Sequence, residues 1–197
     1  LFHFLPAVNR KIHVNLMRLV ASRVQVIFAR EEYVHKELQT SIGAKHYPKN
    51  ILPAGLIFRD RKVKKQNSVL ITVGSSNRTS QMMLLEQLPF DILCDLHFTI
   101  VGRGTERFSE HENVTVFADY VDDETFSELY ANNEISIINY GPQYIGRASK
   151  LLYDAIEYRQ HVYTNFVHSN DVALEYNGIT SYHDIHELVE TLSRHNN

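Results

Sequence analysis

The stretch that decides the fold reads Ile145-Gly146-Arg147-Ala148-Ser149-Lys150-Leu151-Leu152-Tyr153-Asp154-Ala155-Ile156-Glu157. An apolar run at residues 135–140 precedes it, and a second one at residues 161–164 follows it. Short apolar runs of this kind are typical of buried strands, and the stretch between them has a helical pattern. A strand, a glycine-bearing loop, a helix and a strand in this order predict a parallel βαβ unit.

The start of this helix has the composition of an anion site. Ser149 suits an N-cap and Lys150 stands in the first turn. Free backbone N–H groups and a lysine converge there, where a diphosphate would bind. Asp154 lies one turn further along the same face, where its carboxylate can accept hydrogen bonds from a ribose diol. The pattern predicts a nucleotide site, although an ordinary capped helix with an i,i+4 Lys–Asp pair explains it equally well.

Composition narrows the class of protein. The 197 residues, 44% of them hydrophobic, can bury one substantial core or one domain and part of another. A net charge of −3 gives no reason to expect nucleic acid as a partner. The single Cys94 excludes an internal disulfide and fits a reducing compartment. No apolar run approaches the roughly 20 residues of a transmembrane helix. The chain starts without an initiator Met or a signal-peptide pattern, and we expect it to be a piece of a longer protein.

The first 67 residues read as the end of one α/β domain. We predict a helix at residues 7–23, a strand at 24–29, a helix at 31–42 and a strand at 51–55. The charged run at residues 59–67 is predicted to be a domain linker. Contact of this run with an anionic membrane surface is the alternative.

A second α/β unit begins after the linker. The predicted strands cover residues 68–73, 96–101, 113–117, 135–140 and 161–164, and the predicted helices cover residues 81–88, 122–131, 149–157 and 184–193. This alternation predicts a parallel sheet covered on both faces, with ligands bound beyond the carboxyl ends of its strands. The segments predicted at those ends are residues 74–78, 102–104, 120–121 and 140–149.

The segment Gly102-Arg103-Gly104 resembles part of a dinucleotide fingerprint. The third glycine is missing, and the preceding strand is not the first of its unit. We therefore reject NAD as a ligand and predict a tight turn.

The order of these segments resembles the C-terminal, donor-binding domain of a GT-B glycosyltransferase. The resemblance covers residues 68 to about 178, in strands ending in Val-Gly and Val-Gly-x-Gly, an Asn-Val-x-Val-Phe strand, and the segment Ser-Lys-Leu-Leu-x-Asp-Ala. Ser149-Lys150-Leu151-Leu152 is similar to bacterial exopolysaccharide transferases of the xanthan glucuronosyltransferase type. The resemblance implies an α/β fold with a Rossmann-like, doubly wound parallel sheet. Residues 1–67 would be the end of the N-terminal acceptor domain and the linker, and residues 68–197 the nucleotide-sugar domain.

By this resemblance Asp154 occupies the position where the family usually has a Glu that holds the ribose hydroxyls. Ser149, Lys150 and neighbouring amides would hold the diphosphate, and Arg78 lies in a loop that often carries a phosphate-binding cation. The full implied donor site comprises Gly74, Arg78, Tyr120, Val121, Gly146, Arg147, Ser149, Lys150 and Asp154. Tyr120 and Val121 would flank the base.

Two departures from the family pattern leave the stereochemistry and the catalytic base open. Retaining members carry Glu-x7-Glu, and the first of these positions is Gly146 here. The usual Gly-x-Pro before the last strand is Arg159-Gln160-His161.

No metal or other cofactor is expected. The eleven histidines are scattered, and no Asp-x-Asp motif is present. Asp122-Asp123-Glu124 suits the start of a helix better than a cation site. Most of the tyrosines near the key helix, which are Tyr140, Tyr144, Tyr153 and Tyr158, are expected to pack in the interior.

The implied activity is transfer of a sugar from a nucleotide diphosphate donor, with UDP as the expected nucleotide, to a glycan or a lipid-linked saccharide. The implied setting is cytoplasmic polysaccharide biosynthesis, and peripheral contact with a membrane through the N-terminal half stays open. This chain alone is expected to be inactive. Two alternatives remain, a GT-B-fold sugar-nucleotide epimerase and a non-catalytic, partner-binding subunit.

Overall fold

The computed structural model describes residues 58–59, 66–141, 149–165 and 176–195. Nearly all of them belong to one compact unit, which comprises Leu56–Gly141, Lys150–Phe166 and Gly178–Asn197. Ser149, Tyr176 and Asn177 belong to a second unit. The elements predicted within residues 1–57 lie outside the described residues, as do Tyr144, Gly146, Arg147 and most of the predicted linker. The domain boundary at residue 67 stays a prediction.

A parallel sheet forms the centre of the described unit. Its strands are β1 (Ser68–Thr72), β2 (His97–Val101), β3 (Val114–Phe117), β4 (Ile135–Ile138), β5 (His161–Thr164) and β6 (Ile179–Ser181). Their order is β3-β2-β1-β4-β5-β6, and every neighbouring pair is parallel. The predicted doubly wound parallel sheet is therefore confirmed.

The described residues also form four helices and one short 3-10 helix. They are α1 (Arg78–Leu85), α2 (Asp123–Asn132), α3 (Lys150–Glu157), α4 (Ile185–His195) and the 3-10 helix Glu106–Glu110. Among the described residues, no helix has the length and apolar character needed to cross a membrane.

Both faces of the sheet are covered, as the strand pattern predicts. Val69 and Ile71 of β1 share one core with residues of α1 and α4, among them Leu84 and Leu188. Alternate strand residues point to opposite faces, so Leu70 and Thr72 belong to the other face. There Tyr130 of α2 is buried, and α2 contacts β1.

Two elements differ from the sequence prediction. Helix α1 begins at Arg78 and not near Gln81, because Gln81 N–H already donates a helical bond to the carbonyl of Asn77 at 2.8 Å. Arg78 is thus the first residue of a helix rather than part of a loop. Strand β6 was not predicted, because only one of its three residues is apolar.

The order in which successive strands join the sheet changes direction at β1. From β1 the chain moves outward to β2 and β3, and it then returns to β4 on the other side of β1. In such sheets the neighbouring connections leave in opposite directions, and ligands bind at this topological switch point beyond the carboxyl ends of the strands. The ends of β1 and β4 are therefore the expected place for a ligand.

Candidate functional site

The first turns of the helices divide into two electrostatic classes. Helix α2 follows the usual preference, because Asp123 and Glu124 lie in its first turn and the Asp122 side chain accepts a hydrogen bond from Thr125 N–H at 2.7 Å. These bonds lower the pKa of Asp122. The prediction that Asp122-Asp123-Glu124 caps a helix is confirmed.

Helices α1 and α3 show the opposite pattern. Neither has an acidic residue in its first turn, and their first residues are Arg78 and Lys150. A cation at a helix N-terminus opposes the preference of the helix dipole, so it concentrates positive potential there. Helix α1 follows β1, and α3 is the next helix after β4. The two helices with cationic first residues therefore follow the two strands at the switch point.

Arg78 is exposed and lies over the turn that follows β2. A Cβ atom added to Gly104 would lie 2.8 Å from Nη2 of Arg78, which shows how closely the guanidinium approaches this turn. Gly102 and Gly104 have φ values of +144° and +76°, conformations that L side chains rarely adopt. The predicted tight turn is confirmed, and it brings two of the predicted edge segments into contact.

Lys150 and Asp154 form the ion pair that their spacing predicts. The Nζ atom of Lys150 lies 2.6 Å from Oδ2 of Asp154, and the two side chains are 80% and 19% exposed. The ammonium group is therefore open to solvent, whereas the carboxylate is largely covered.

The carboxylate of Asp154 also acts on a buried tyrosine. The pKa of Tyr130 lies well above its usual range, first because the side chain is buried and second because of the negative charge of Asp154. Tyr130 packs its ring against Tyr158, with 5.8 Å between the ring centroids. Tyr140, Tyr153 and Tyr158 are buried, as expected of packing residues.

Three side-chain amides, which the sequence pattern does not identify, occupy the space between the ends of β1 and β4. Asn77 and Gln81 are almost completely buried. Oε1 of Gln81 accepts from Asn139 N–H at 2.7 Å and from Nδ2 of Asn77 at 3.3 Å, while its Nε2 donates to the carbonyl of Ile137 at 3.3 Å. Nδ2 of Asn77 also donates to the carbonyl of Thr72 at 3.1 Å. The Asn139 side chain donates to the carbonyl of Ser80 at 2.8 Å.

The side chain of Asn77 turns inward and does not cap α1. Its Oδ1 accepts from Gly74 N–H at 2.8 Å, and it makes no side-chain capping bond to the helix. The N–H of Gly74, a predicted donor-site residue, is therefore used within the protein. Because Asn77 does not cap α1, the backbone N–H groups at the start of that helix are available to an anion.

The other predicted residues occupy different environments. Tyr120 is 79% exposed and Val121 is half-buried, and both follow β3. Ser149 directly precedes α3 and is fully buried. Gly146 and Arg147 lie outside the described residues. Within the described ranges, no group of three or more His, Cys, Asp or Glu side chains could hold a metal ion.

No protein-family model and no curated protein matches this chain. Solved structures do match it. A TarM structure shares 10% sequence identity with a TM-score of 0.65, covering 91% of this chain and 38% of TarM. WaaG, a glycosyltransferase involved in lipopolysaccharide biosynthesis, shares 20% identity with a TM-score of 0.59, covering 85% of this chain and 52% of WaaG.

A second TarM structure, a variant of the S. aureus protein in complex with fondaparinux, α-GlcNAc-glycerol and UDP, gives 13% identity and a TM-score of 0.63. It covers 93% of this chain and 39% of that protein. The chain thus spans between two-fifths and about half of the length of these structures. Together with the parallel sheet, these matches show that the chain has the Rossmann-like α/β fold that the sequence predicts, which is also the fold of a domain in these GT-B structures.

Proposed function

We propose that this chain is the donor-binding part of a glycosyltransferase that takes a sugar from a nucleotide diphosphate, UDP above all. The observation that carries the proposal is the pair of cationic first residues, Arg78 and Lys150, on the two helices associated with the switch-point strands. A diphosphate is the dianionic or trianionic group that this arrangement would stabilise, because backbone N–H groups and basic side chains would act on it together.

The remaining residues suit the rest of a nucleotide. The covered carboxylate of Asp154 lies one helical turn from Lys150, where it would accept hydrogen bonds from the ribose hydroxyls. Tyr120, with an exposed ring, and Val121 would contact the base. Ser149, Gly146 and Arg147 complete the proposed site on the strength of the sequence resemblance. The UDP in one TarM complex supports the choice of nucleotide.

The chemistry assigned to these residues is stabilisation of the leaving group. When the bond between the sugar and the diphosphate breaks, negative charge develops on the diphosphate oxygens. Arg78, Lys150 and the start of α1 would stabilise that charge in the transition state, and preorganised groups of this kind contribute strongly to catalysis. No divalent metal is needed in this scheme, because basic side chains and N–H groups supply the positive charge.

The proposed acceptor is a glycan or a lipid-linked saccharide, in polysaccharide biosynthesis at the cytoplasmic face of a membrane. The similarity of Ser149-Lys150-Leu151-Leu152 to exopolysaccharide transferases supports this choice, as do the lipopolysaccharide role named for WaaG and the glycan ligands of TarM. Because the chain spans only 38–52% of these structures, we propose that it binds donor but does not transfer sugar by itself.

Isothermal titration calorimetry of the chain with UDP, GDP, ADP and TDP tests the proposal. UDP should bind best, and in a parallel thermal-unfolding series it should raise the unfolding temperature with the logarithm of its concentration above the dissociation constant, since a ligand at a hundred times that constant adds about 2.7 kcal/mol to the free energy of unfolding. Absence of binding by all four nucleotides at millimolar concentration would refute it and would favour a non-catalytic subunit. Conversion of a UDP-sugar by the full-length protein without any acceptor would indicate an epimerase instead.

A further inference from the structure

The hydrogen-bond ladder between β1 and β4 stops one bond short of the carboxyl edge. The register pairs Ile71 with Ile137, so Thr72 and Ile138 are the next partners. In a parallel ladder a residue's carbonyl accepts from the N–H one residue beyond its partner. The next bond would therefore join the N–H of Asn139 to the carbonyl of Thr72.

Side-chain amides take the place of that bond. The N–H of Asn139 donates to Oε1 of Gln81, that oxygen also accepts from Nδ2 of Asn77, and Nδ2 of Asn77 donates to the carbonyl of Thr72. The three distances are 2.7, 3.3 and 3.1 Å. Two amide groups are thus inserted where one direct bond would close the ladder, and we call Asn77 and Gln81 the amide wedge.

We propose that the amide wedge holds β1 and β4 apart at the switch point and that Gln81 is thereby a positioning residue for the diphosphate. This inference rests on the proposed function. Gln81 lies one helical turn from Arg78 on α1, and the Asn139 side chain is bonded to Ser80 of the same turn. The wedge consequently fixes the start of α1, with its cation, relative to the end of β4.

The chemistry of the wedge requires a glutamine at position 81. Oε1 accepts two hydrogen bonds and Nε2 donates one to the carbonyl of Ile137, all in a fully buried position. A carboxylate would supply acceptors without the donor, and an apolar side chain would supply neither. Buried backbone groups left without partners are costly, so the freed N–H of Asn139 should pair with the carbonyl of Thr72 when the wedge is removed.

The test compares Gln81→Met with Gln160→Met by calorimetry with UDP and with uridine. Gln160 is the matched control, because it is also fully buried and its Nε2 donates to the carbonyls of Tyr130 and Asn133 at 3.0 Å, next to the amino end of β5. Both variants should be less stable than the wild type. Only Gln81→Met should lower the ratio of UDP to uridine affinity, by about tenfold, because uridine has no phosphate to place.

An equal loss of UDP and uridine affinity in Gln81→Met, or the same change of the ratio in Gln160→Met, would overturn the inference. If the wild-type chain binds no UDP, the proposed function and the positioning role of Gln81 fail together, and a crystal structure of Gln81→Met then decides whether the amide wedge holds β1 and β4 apart. A hydrogen bond between Asn139 N–H and the Thr72 carbonyl in that structure supports the wedge, and unchanged positions of β1 and β4 refute it. If Gln81→Met does not fold, Asn77→Ala is tested in its place by calorimetry with UDP and uridine and by crystallography, with the same expected results.

Discussion

Lys150 and Asp154 are ion-paired on the first two turns of α3, with 2.6 Å between Nζ and Oδ2. The two ends of the pair differ in accessibility, because the ammonium group is exposed and the carboxylate is largely covered. An i,i+4 ion pair on a helix contributes only about 0.3–0.5 kcal/mol, so the proposed diphosphate would readily attract the exposed ammonium group of Lys150 away from Asp154. Asp154 can meanwhile keep its place beside the buried Tyr130.

The first prediction separates the roles of these two residues. Lys150→Ala should weaken UDP binding about ten- to a hundredfold with a much smaller effect on uridine, because a charge-assisted hydrogen bond contributes roughly 1.5–3 kcal/mol. Asp154→Asn should weaken UDP and uridine alike, because both contain the ribose. Calorimetry with both ligands measures these effects.

Arg194→Ala supplies the control for this experiment. Arg194 forms an exposed i,i+4 ion pair with Glu190 on α4. Truncating Arg194 removes a surface cation from a helical ion pair, as Lys150→Ala does. It should leave both affinities unchanged. The assigned roles are wrong if Lys150→Ala weakens uridine as much as UDP.

The second prediction concerns divalent metal. UDP should bind with the same affinity in excess chelator and in millimolar Mg²⁺, because in the proposed site Arg78, Lys150 and backbone N–H groups would balance the phosphate charge. Parallel calorimetric titrations in the two buffers give the comparison. A large loss of affinity in chelator would mean that a metal ion bridges the diphosphate and the protein.

The third prediction concerns the turn that packs against Arg78. Gly102→Ala should lower the free energy of unfolding by at least about 1–3 kcal/mol, because Gly102 has a φ of +144° and the new Cβ would lie 2.5 Å from the carbonyl oxygen of Val73. Gly74→Ala is the control, since its Cβ would make only an ordinary contact at 3.5 Å with Oδ1 of Asn77. Urea unfolding of both variants measures the difference. Equal, small effects would show that the turn can relax.

The sheet was predictable because its central strands are buried on both faces. Residues such as Val69, Ile71 and Ile137 give continuous apolar runs, which identify a strand without any knowledge of its neighbours. Strand β6 has one isoleucine among three residues, so its sequence pattern does not predict a strand. Its hydrogen-bonded pairing with β5 holds it in the sheet. Propensity likewise placed the start of α1 too late, since Thr79 and Ser80 are weak helix formers.

The side-chain contacts of the candidate site were predictable only where local spacing determines them. Lys150 and Asp154 are four residues apart on one helix, so their contact follows from helical geometry alone. Asn77 and Gln81 also have this spacing, but nothing in the sequence distinguishes a buried amide from a solvated one. The role proposed for them rests on the place where the β1–β4 ladder ends, which only the folded structure reveals.

The last prediction is a dependence of stability on pH that arises at the amino end of β5, away from the candidate site at the carboxyl ends of the strands. The half-buried His161 has its ring centroid 5.2 Å from that of His195 and 4.8 Å from that of Tyr163, and its Nε2 lies 2.9 Å from Oγ1 of Thr180. Burial and, second, the neighbouring His195 lower the pKa of His161, while the negative charge of Glu134 acts in the opposite direction. Burial has the opposite effect on the neighbouring phenol: it raises the pKa of Tyr163 to about 12, so that side chain stays neutral in the pH range in which histidine titrates.

Because the pKa of His161 is lower in the folded state than its ordinary value of 6.5, the unfolded chain takes up the proton first as the pH falls. The stability contributed by neutral His161 is therefore complete above pH 6.5 and is lost progressively below it. Urea unfolding between about pH 7.5 and pH 5.5 should show wild-type stability declining more steeply than that of His161→Gln. His97→Gln is the matched control for the loss of a histidine–threonine contact, because Nε2 of His97 lies 3.0 Å from Oγ1 of Thr115 on the strand pair β2 and β3. Identical slopes for His161→Gln and the wild type would show that the protonation of His161 is not coupled to folding.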